Sequence, residues 1–487
     1  MIQGSGNKLW KKYRLVPLVA SIALILFFMG IITTRIVVAQ ELYNYNYTEE
    51  FTLPFIKIFT DRGELINKKN SILGILSMSL PDPLPLEEPK NDPSEKVKEK
   101  NIKIQLHGQF SLAYKQKPYE VNFIDEQKET ISIPFFNLPA GEEWIFHAPY
   151  VDRSLMRNAL AYRLGREIGA SNNYTSFAPR SFYTELSIND GYKGLYLVVE
   201  RNEQGKNRVN IPKTELSKPD QVSFLLEVSS KKGDFRTKYG TDIKYRYPKT
   251  SEFEKWDKEN PAASNLIKNN IKAKIDAFED ALGGINFKDP KIGYSAFINV
   301  DSFVDYIIIQ EVTKNVDGYR RSTWFHASDG DKITMGPIWD FDAAFGNLNF
   351  YTMSLKSGWV VHKKHFIDGY RPAFWFQRLL KDPAFIERVV KRYRFLRMPG
   401  QALSSEHIQN TISEFVSIIG DAGLRQERRW KNTYTNPIHS IFLHARPWSR
   451  TFHGNVKQIK KWTSKRLNWI DNHIEKIGYV DINNDLN

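Results

Sequence analysis

The chain has 487 residues, no cysteine, and 69 lysines and arginines against 55 aspartates and glutamates, a net charge of +14. The missing cysteines exclude disulfides, zinc–thiolate centres and thiol nucleophiles outright. The length admits one large domain or two ordinary ones. The basic excess favours anionic partners such as phosphates or acidic envelope polymers, although a basic surface spread over a long chain is the plainer account. No basic block interleaved with aromatics marks a nucleic-acid footprint, so no nucleic acid is expected as a partner.

The amino terminus addresses the chain. Lys8, Lys11, Lys12 and Arg14 precede an uncharged run from Leu15 to Thr34, long enough to cross a bilayer. The positive flank stays cytoplasmic, which places everything after Arg35 outside. Val37-Val38-Ala39 before Gln40 has the form of a cleavage site, so residues 1–40 read as a membrane anchor, or as a signal segment if cleaved. Membrane attachment through that helix, or secretion, is the expected localisation.

Residues 41–80 open the folded part. FIKIFT is an alternating strand, TDRGE a turn, and SILGILSMSL a second strand. Residues 81–100 are rich in proline and charge and read as a solvated loop. Alternation returns in NIKIQLH and PYEVNF. Between them lies GQFSLAYKQK, with Gly108, Lys115 and Lys117. A glycine loop with a lysine at the start of the next strand can clamp phosphate through backbone N–H groups and a point charge; two surface lysines beside a hairpin are the commoner outcome of such a pattern.

Asp152 is set to cap a helix in which Met156, Leu160, Leu164 and Ile168 recur at i+4, with Gly169 ending it. Arg153, Arg157, Arg163 and Arg166 lie off that stripe and are expected in solvent, except that Arg157 can reach a phosphate or carboxylate of a neighbouring loop. SFYTELSI and LYLVVE form a hairpin ending at Glu200, which is either solvated or paired with a functional lysine or arginine. QVSFLLEVSS is a further strand. Residues 230–260 read as a polar insertion with short strands, and NLIKNNIKAKIDAFEDAL has helical spacing.

The central stretch is Thr313 to Gly346. An apolar helix from Ser302 to Thr313 runs into Asn315 and Asp317, and the strands RSTWFHAS and KITMGPIW, joined by Asp-Gly-Asp, lead to Asp340 and Asp342. Asp-Gly between such runs is a strong hairpin signal. A hairpin folds its ends together, so the four residues should meet. Carboxylates brought together repel unless a cation lies among them, and hard oxygen ligands suit Mg²⁺ or Mn²⁺. Phosphoryl transfer needs such parts. Taken in order, Asp317 is the base, Asn315 a metal or substrate ligand, Asp340 a metal ligand, and Asp342 a second ligand or its support. The plainer reading is that each acid caps a turn.

Residues 351–487 are mostly helical, with Asp382, Ser404 and Asn455 as caps and Trp430, Trp448, Trp462 and Trp469 as core residues, and they pack as a lobe on the sheet region. The fold class is α+β.

The blocks LHGQFSLAYKQKPYEV, DRSLMRNALAYRLGREIG, ELSINDGYKGLYLVVE, NVDGYRRSTWF and GPIWDFDAAFGN resemble, in order and spacing, the spore coat protein H (CotH) kinase family of atypical, secreted protein-kinase-like proteins. The resemblance covers residues 50–350 and extends into the helical tail. It implies a kinase-like mixed sheet and hairpin core with a helical carboxy-terminal lobe, ATP with Mg²⁺ or Mn²⁺, and transfer to hydroxyls of a protein substrate. By motif position it makes Asp317 the catalytic acid, Asp340 the metal ligand and Lys117 the phosphate lysine, and it sets Arg157 and Glu200 in nucleotide-associated blocks. Family members often carry Arg-Gly-Asn-Ser-Ser where this chain has His107-Gly108-Gln109-Phe110-Ser111. A catalytically silent envelope scaffold of the same fold is the alternative. A metal-dependent hydrolase is a third reading, disfavoured because no HxH or HExxH pair is present and His107, His147 and His326 stand singly.

Overall fold

The computed structural model describes residues 52–81, 99–172, 177–229, 232–347, 354–363, 372–435, 438–440, 443–445 and 449–479. Residues 1–40, expected to be an anchor or signal segment, the expected loop at 82–98 and Trp448 lie outside the described residues. Among the described residues no helix is long and apolar enough to cross a membrane.

The sheet region is built as the alternation predicts. Strands β1 (Phe55–Thr60), β2 (Ile72–Ser79), β3 (Lys100–Leu106) and β4 (Tyr119–Phe123) form an antiparallel meander. A small ribbon of β5 (Ile133–Phe135) and β6 (Leu138–Gly141) precedes β7 (Glu143–His147), and the meander continues through β7 to β9 (Gly191–Glu200) and β8 (Ser181–Ile188). The sheet then closes, because β1 pairs in parallel with β8 from Phe55↔Glu185 to Ile58↔Ile188. Closure removes both sheet edges. The inward residues of every strand, among them Ile56, Ile104, Val121, Trp144 and Val198, make one buried apolar cluster. The β8–β9 turn is tighter than the sequence suggests. Asn189 and Asp190 alone carry it, at φ 49 and 58, as a two-residue turn with both centres left-handed requires.

A second sheet has the order β11 (Phe235–Arg236), β12 (Asp242–Tyr247), β10 (Phe224–Val228), β13 (Thr323–Ala327), β14 (Thr334–Met335). β13 and β14 are the predicted hairpin around Asp-Gly-Asp, with Gly330 at φ +73. The polar insertion holds more helix than expected, since Thr250–Glu259 is helical. Its buried Phe253 packs on Tyr245 with ring centroids 4.6 Å apart.

Helix α1 spans Arg157–Ala170, α2 Thr250–Glu259, α3 Pro261–Gly283 and α4 Val300–Thr313. The tail adds α5 (Trp375–Leu379), α6 (Pro383–Arg397), α7 (Ser405–Ile419), α8 (Ala422–Arg429), α9 (Lys431–Thr435) and α10 (Phe452–His473). Asp382 and Ser404 cap α6 and α7 as expected, accepting from Ala384 N at 3.1 Å and His407 N at 3.2 Å. Three cap assignments are corrected. Met156, not Asp152, is the residue before α1, and Asp152 accepts the Arg157 N–H at 2.7 Å from five residues upstream. Thr451, not Asn455, caps α10, because its hydroxyl accepts from Gly454 N at 3.1 Å. Gly169 does not end α1; the helix runs on to Ala170, and the Ile168 carbonyl is satisfied by Ser171 Oγ at 2.8 Å and Arg392 Nη2 at 2.9 Å. Arg153 and Arg157 are also corrected from solvent to interior, each 2% exposed. Trp462 is buried, whereas Trp430 and Trp469 are half-buried.

Candidate active site

α4 is apolar on almost every face and therefore buried on every face: twelve of its fourteen residues are interior. It stops at Lys314, which takes the left-handed conformation at φ 50 and turns the chain out of the helix axis. Asn315 follows, with its N–H on Gln310 O at 3.0 Å. A short turn then sets Asp317, whose backbone oxygen accepts from the N–H groups of Arg320 and Arg321, both at 3.1 Å.

The hairpin brings the second pair to the same place. Asn315 Nδ2 donates to the Asp340 backbone oxygen at 3.3 Å, and Phe345 N donates to Thr313 O at 2.7 Å. The end of α4 and the Asp340–Gly346 segment are thus joined by backbone. Asp340 sits at φ 65, a region that non-glycine residues enter sparingly and aspartate better than most. Gly346, at φ +69, packs on the indole of Trp462, where a Cβ would collide with the ring. Trp462 in turn donates from Nε1 to Ser354 O at 2.9 Å. The carboxy-terminal helix α10 therefore buttresses the segment that carries the acids.

Each acid has a different environment. Asp317 Oδ1 meets Arg320 Nη2 at 2.7 Å and Arg321 Nε at 3.0 Å. Asp342 Oδ1 accepts from Asn158 Nδ2 at 2.7 Å and lies 3.0 Å from His147 Nε2. Burial by itself would lower the His147 imidazole, but Asp342, with Asp340 and Asp152, outweighs it and holds the ring above its ordinary value. Asn158 also accepts the Phe341 N–H on Oδ1 at 2.7 Å, so one amide reads both the backbone and the carboxylate. Among the described residues, Asp340 has no such donors on its carboxylate. Burial, then the charges of Asp342 and Asp317, push its carboxyl up to about 7.

Among the described residues no group of three or more His, Asp or Glu side chains is set to hold a metal by itself. The donor chemistry still suits Mg²⁺ or Mn²⁺. Mg²⁺ is usually bound by one or two carboxylates together with substrate phosphates rather than by an all-protein cage. Asp340, crowded by two like charges, is the position that a divalent cation would relieve.

The other predicted residues occupy different ground. Arg157 is interior. Its Nε donates to Ala344 O at 3.1 Å and Nη1 to Ser154 Oγ at 2.9 Å, while it pairs with Asp152. It reaches the Asp340–Gly346 loop as backbone, not as phosphate. Lys117 donates from Nζ to Leu112 O at 2.5 Å across its own loop. Glu200 is paired, with Arg180 and Arg208 at 2.7 Å each, and it accepts the Arg180 N–H at 2.8 Å. Phe110, in the departing loop, is 45% exposed and lies beneath the Arg321 guanidinium, 5.8 Å from ring centroid to Cζ. The loop after β3 thereby touches the partner of Asp317.

Sequence reading gave no role to Asn158 and Arg321, and took His147 only as a histidine that stands singly. Asn158 and Arg321 lie inside quoted motif blocks, next to residues that drew attention. His147 had no local signal, because the strand that carries it meets Asp342 only through the fold.

Residues 104–470, most of the chain, match the CotH kinase protein family. This protein belongs to the CotH kinase family. The matched span takes in the β3–β4 loop, α1, the acidic centre and nearly all of α10. No curated protein matches the chain.

Proposed function

We propose that this CotH kinase family member is an ATP-dependent phosphotransferase that moves the γ-phosphate to hydroxyl groups of a protein substrate, using Mg²⁺ or Mn²⁺. The observation that carries the reading is the convergence of Asn315, Asp317, Asp340 and Asp342, with Asp340 held electrostatically uncomfortable. In this reading the sheet region and the helical tail are the two lobes of a kinase-like fold, residues 41–350 and 351–487. Asp317 accepts the proton of the acceptor hydroxyl. Asp340 holds the metal, with Asp342 or the Asn315 amide beside it, and His147 and Asn158 keep Asp342 in place. The metal, when bound, draws charge from the transferring phosphoryl group. Lys117 would exchange the Leu112 carbonyl for a phosphate oxygen. Arg157 positions the acidic loop, and Glu200 supports the strand end with its arginines.

The segment Leu15–Thr34 anchors the chain with the kinase region outside the membrane, or is removed to release it. Fractionation of cells making the full chain separates these cases: salt-resistant membrane association supports the anchor, and a soluble product starting near Gln40 supports cleavage.

The activity test is label transfer from γ-phosphate-labelled ATP in Mg²⁺ and in Mn²⁺, for wild type, Asp317→Ala and Asp340→Ala. Transfer retained in both folded variants would overturn the assignment. The silent-scaffold reading is favoured by the contact of Phe110 with Arg321, the cation paired with Asp317. It predicts no rise in Tm with ATP and Mn²⁺ together.

A further inference from the structure

Away from the acidic centre, a second cleft has the opposite charge. It opens to solvent beside the entry to β8 and the exit of β9. Arg166, Arg180, Arg201 and Arg208 line it, with Glu200 as the lining carboxylate and Asn202 beside it. Glu200 is already occupied by Arg180 and Arg208. Arg208 lies 3.6 Å from Glu203, whose carboxyl is pushed up to about 7 by burial and then by Glu143. Arg201 stands off at 3.6 Å from Glu143 and 3.7 Å from Glu120.

Two groups are left over. Arg166 donates from Nη1 to Pro179 O at 2.5 Å, and among the described residues no carboxylate lies within ion-pair reach of it. A guanidinium carries five N–H donors. Burial, and then Arg163, lower Arg166 to about 10. Asn202 is 5% exposed, and its Nδ2 has no hydrogen-bond partner among the described residues. A buried donor without an acceptor is costly. Arginine forks and amide N–H groups are the donors that take tetrahedral oxyanions.

We propose that this cleft binds a phosphate-type oxyanion, held by Arg166 and the Asn202 amide with Arg180 and Arg201 at its sides. The ligand is inorganic phosphate or the phosphomonoester of a phosphoserine, which present the same oxygens. The site is separate from the acidic centre. Its lining comes as near as Pro337, but includes none of Asn315, Asp317, Asp340 and Asp342. The proposal therefore stands whether or not the protein transfers phosphate.

The test is calorimetric titration and thermal unfolding of the full chain with inorganic phosphate and with O-phospho-L-serine, each against chloride at equal ionic strength. Phosphate or phosphoserine should raise Tm over chloride by about 1–2 °C at tenfold excess over Kd. Arg166→Gln and Asn202→Asp should each weaken Kd tenfold or more, the second by placing a negative charge in an unchanged shape. Asp340→Asn should keep the full response, which separates this cleft from the acidic centre. Equal behaviour in phosphate and chloride, or unaltered affinity in Asn202→Asp, overturns the site. The Asn202→Asp result decides alone if Arg166→Gln fails to fold. Tighter binding of phosphoserine than of phosphate, or the reverse, supports the site either way and identifies the source of the anion.

Discussion

Glu311 and Asp340 are acids set near the same helix end, and the fold treats them in opposite ways. Glu311 is 2% exposed and saturated: Oε1 accepts from Val361 N at 2.8 Å and Tyr319 Oη at 3.1 Å, and Oε2 from Val360 N at 2.9 Å and Arg466 Nη2 at 3.2 Å. Asp340 takes no hydrogen bond on its carboxylate among the described residues and faces two further carboxylates. A buried acid with every lone pair met is part of the scaffold. A crowded acid with none met is poised for something the chain does not itself contain. The first ties α10 to the end of α4; the second is presented by that tie.

The largest expected effect falls on the unsatisfied side. Asp317→Ala and Asp340→Ala should each lower label transfer at least ~10³-fold. Asp340→Asn, which removes one of three like charges, should leave Tm in metal-free buffer unchanged or higher. A fall in its Tm would place Asp340 with Glu311 as a structural acid.

The saturated side should respond in stability. Arg466→Met leaves Glu311 charged and buried without its partner, which costs about 3–5 kcal/mol. Urea unfolding should show the lower midpoint, and the double variant with Glu311→Gln should recover part of it. Independence of the two changes would break the pairing.

Lys314 tests the joint between these acids. It is 2% exposed and donates from Nζ to Leu355 O at 3.0 Å and Ser357 O at 2.5 Å. Burial first, then Arg466, lower its ammonium from 10.5 to about 6. The unfolded chain holds a proton that the folded chain has released, so stability climbs as pH rises from about 6 toward 10.5. Below about 6 both states hold the proton and the dependence levels off. Lys314→Met should flatten that slope in unfolding midpoints measured from pH 6 to 9. An unchanged slope would show that Lys314 stays charged in the fold.

The smallest effect is expected in the loop after β3. Phe110→Ser removes the contact with Arg321, worth about 0.5–1 kcal/mol at an exposed position. The ATP–Mn²⁺ thermal shift should rise slightly as the loop is freed. A smaller shift would make Phe110 part of the nucleotide site.

Much of this was legible in the chain itself. Strand alternation placed β1–β4 and the β8–β9 hairpin, and the Asp-Gly-Asp turn was enough to foresee that Asn315 and Asp317 meet Asp340 and Asp342. These are local signals, in which side-chain period and turn chemistry act over a few residues. The parallel β1–β8 pairing was not legible, because it joins segments about 130 residues apart with no pattern of its own. The interior places of Arg153 and Arg157 were missed for a related reason. An arginine is buried only where distant groups, here the Thr433 and Ala344 carbonyls, satisfy it.

By itself, then, the sequence determined an α+β chain with an amino-terminal hydrophobic run, an acidic centre on a hairpin and the family to which it belongs. The tertiary structure alone decided which charges are spent and which are left over. Glu200 is neutralised by Arg180 and Arg208 and Glu311 by the distant Arg466, while Asp340, Arg166 and Asn202 have no such partner among the described residues. Charge type is written residue by residue, but satisfaction depends on neighbours that only the closed barrel and the packed tail bring within reach.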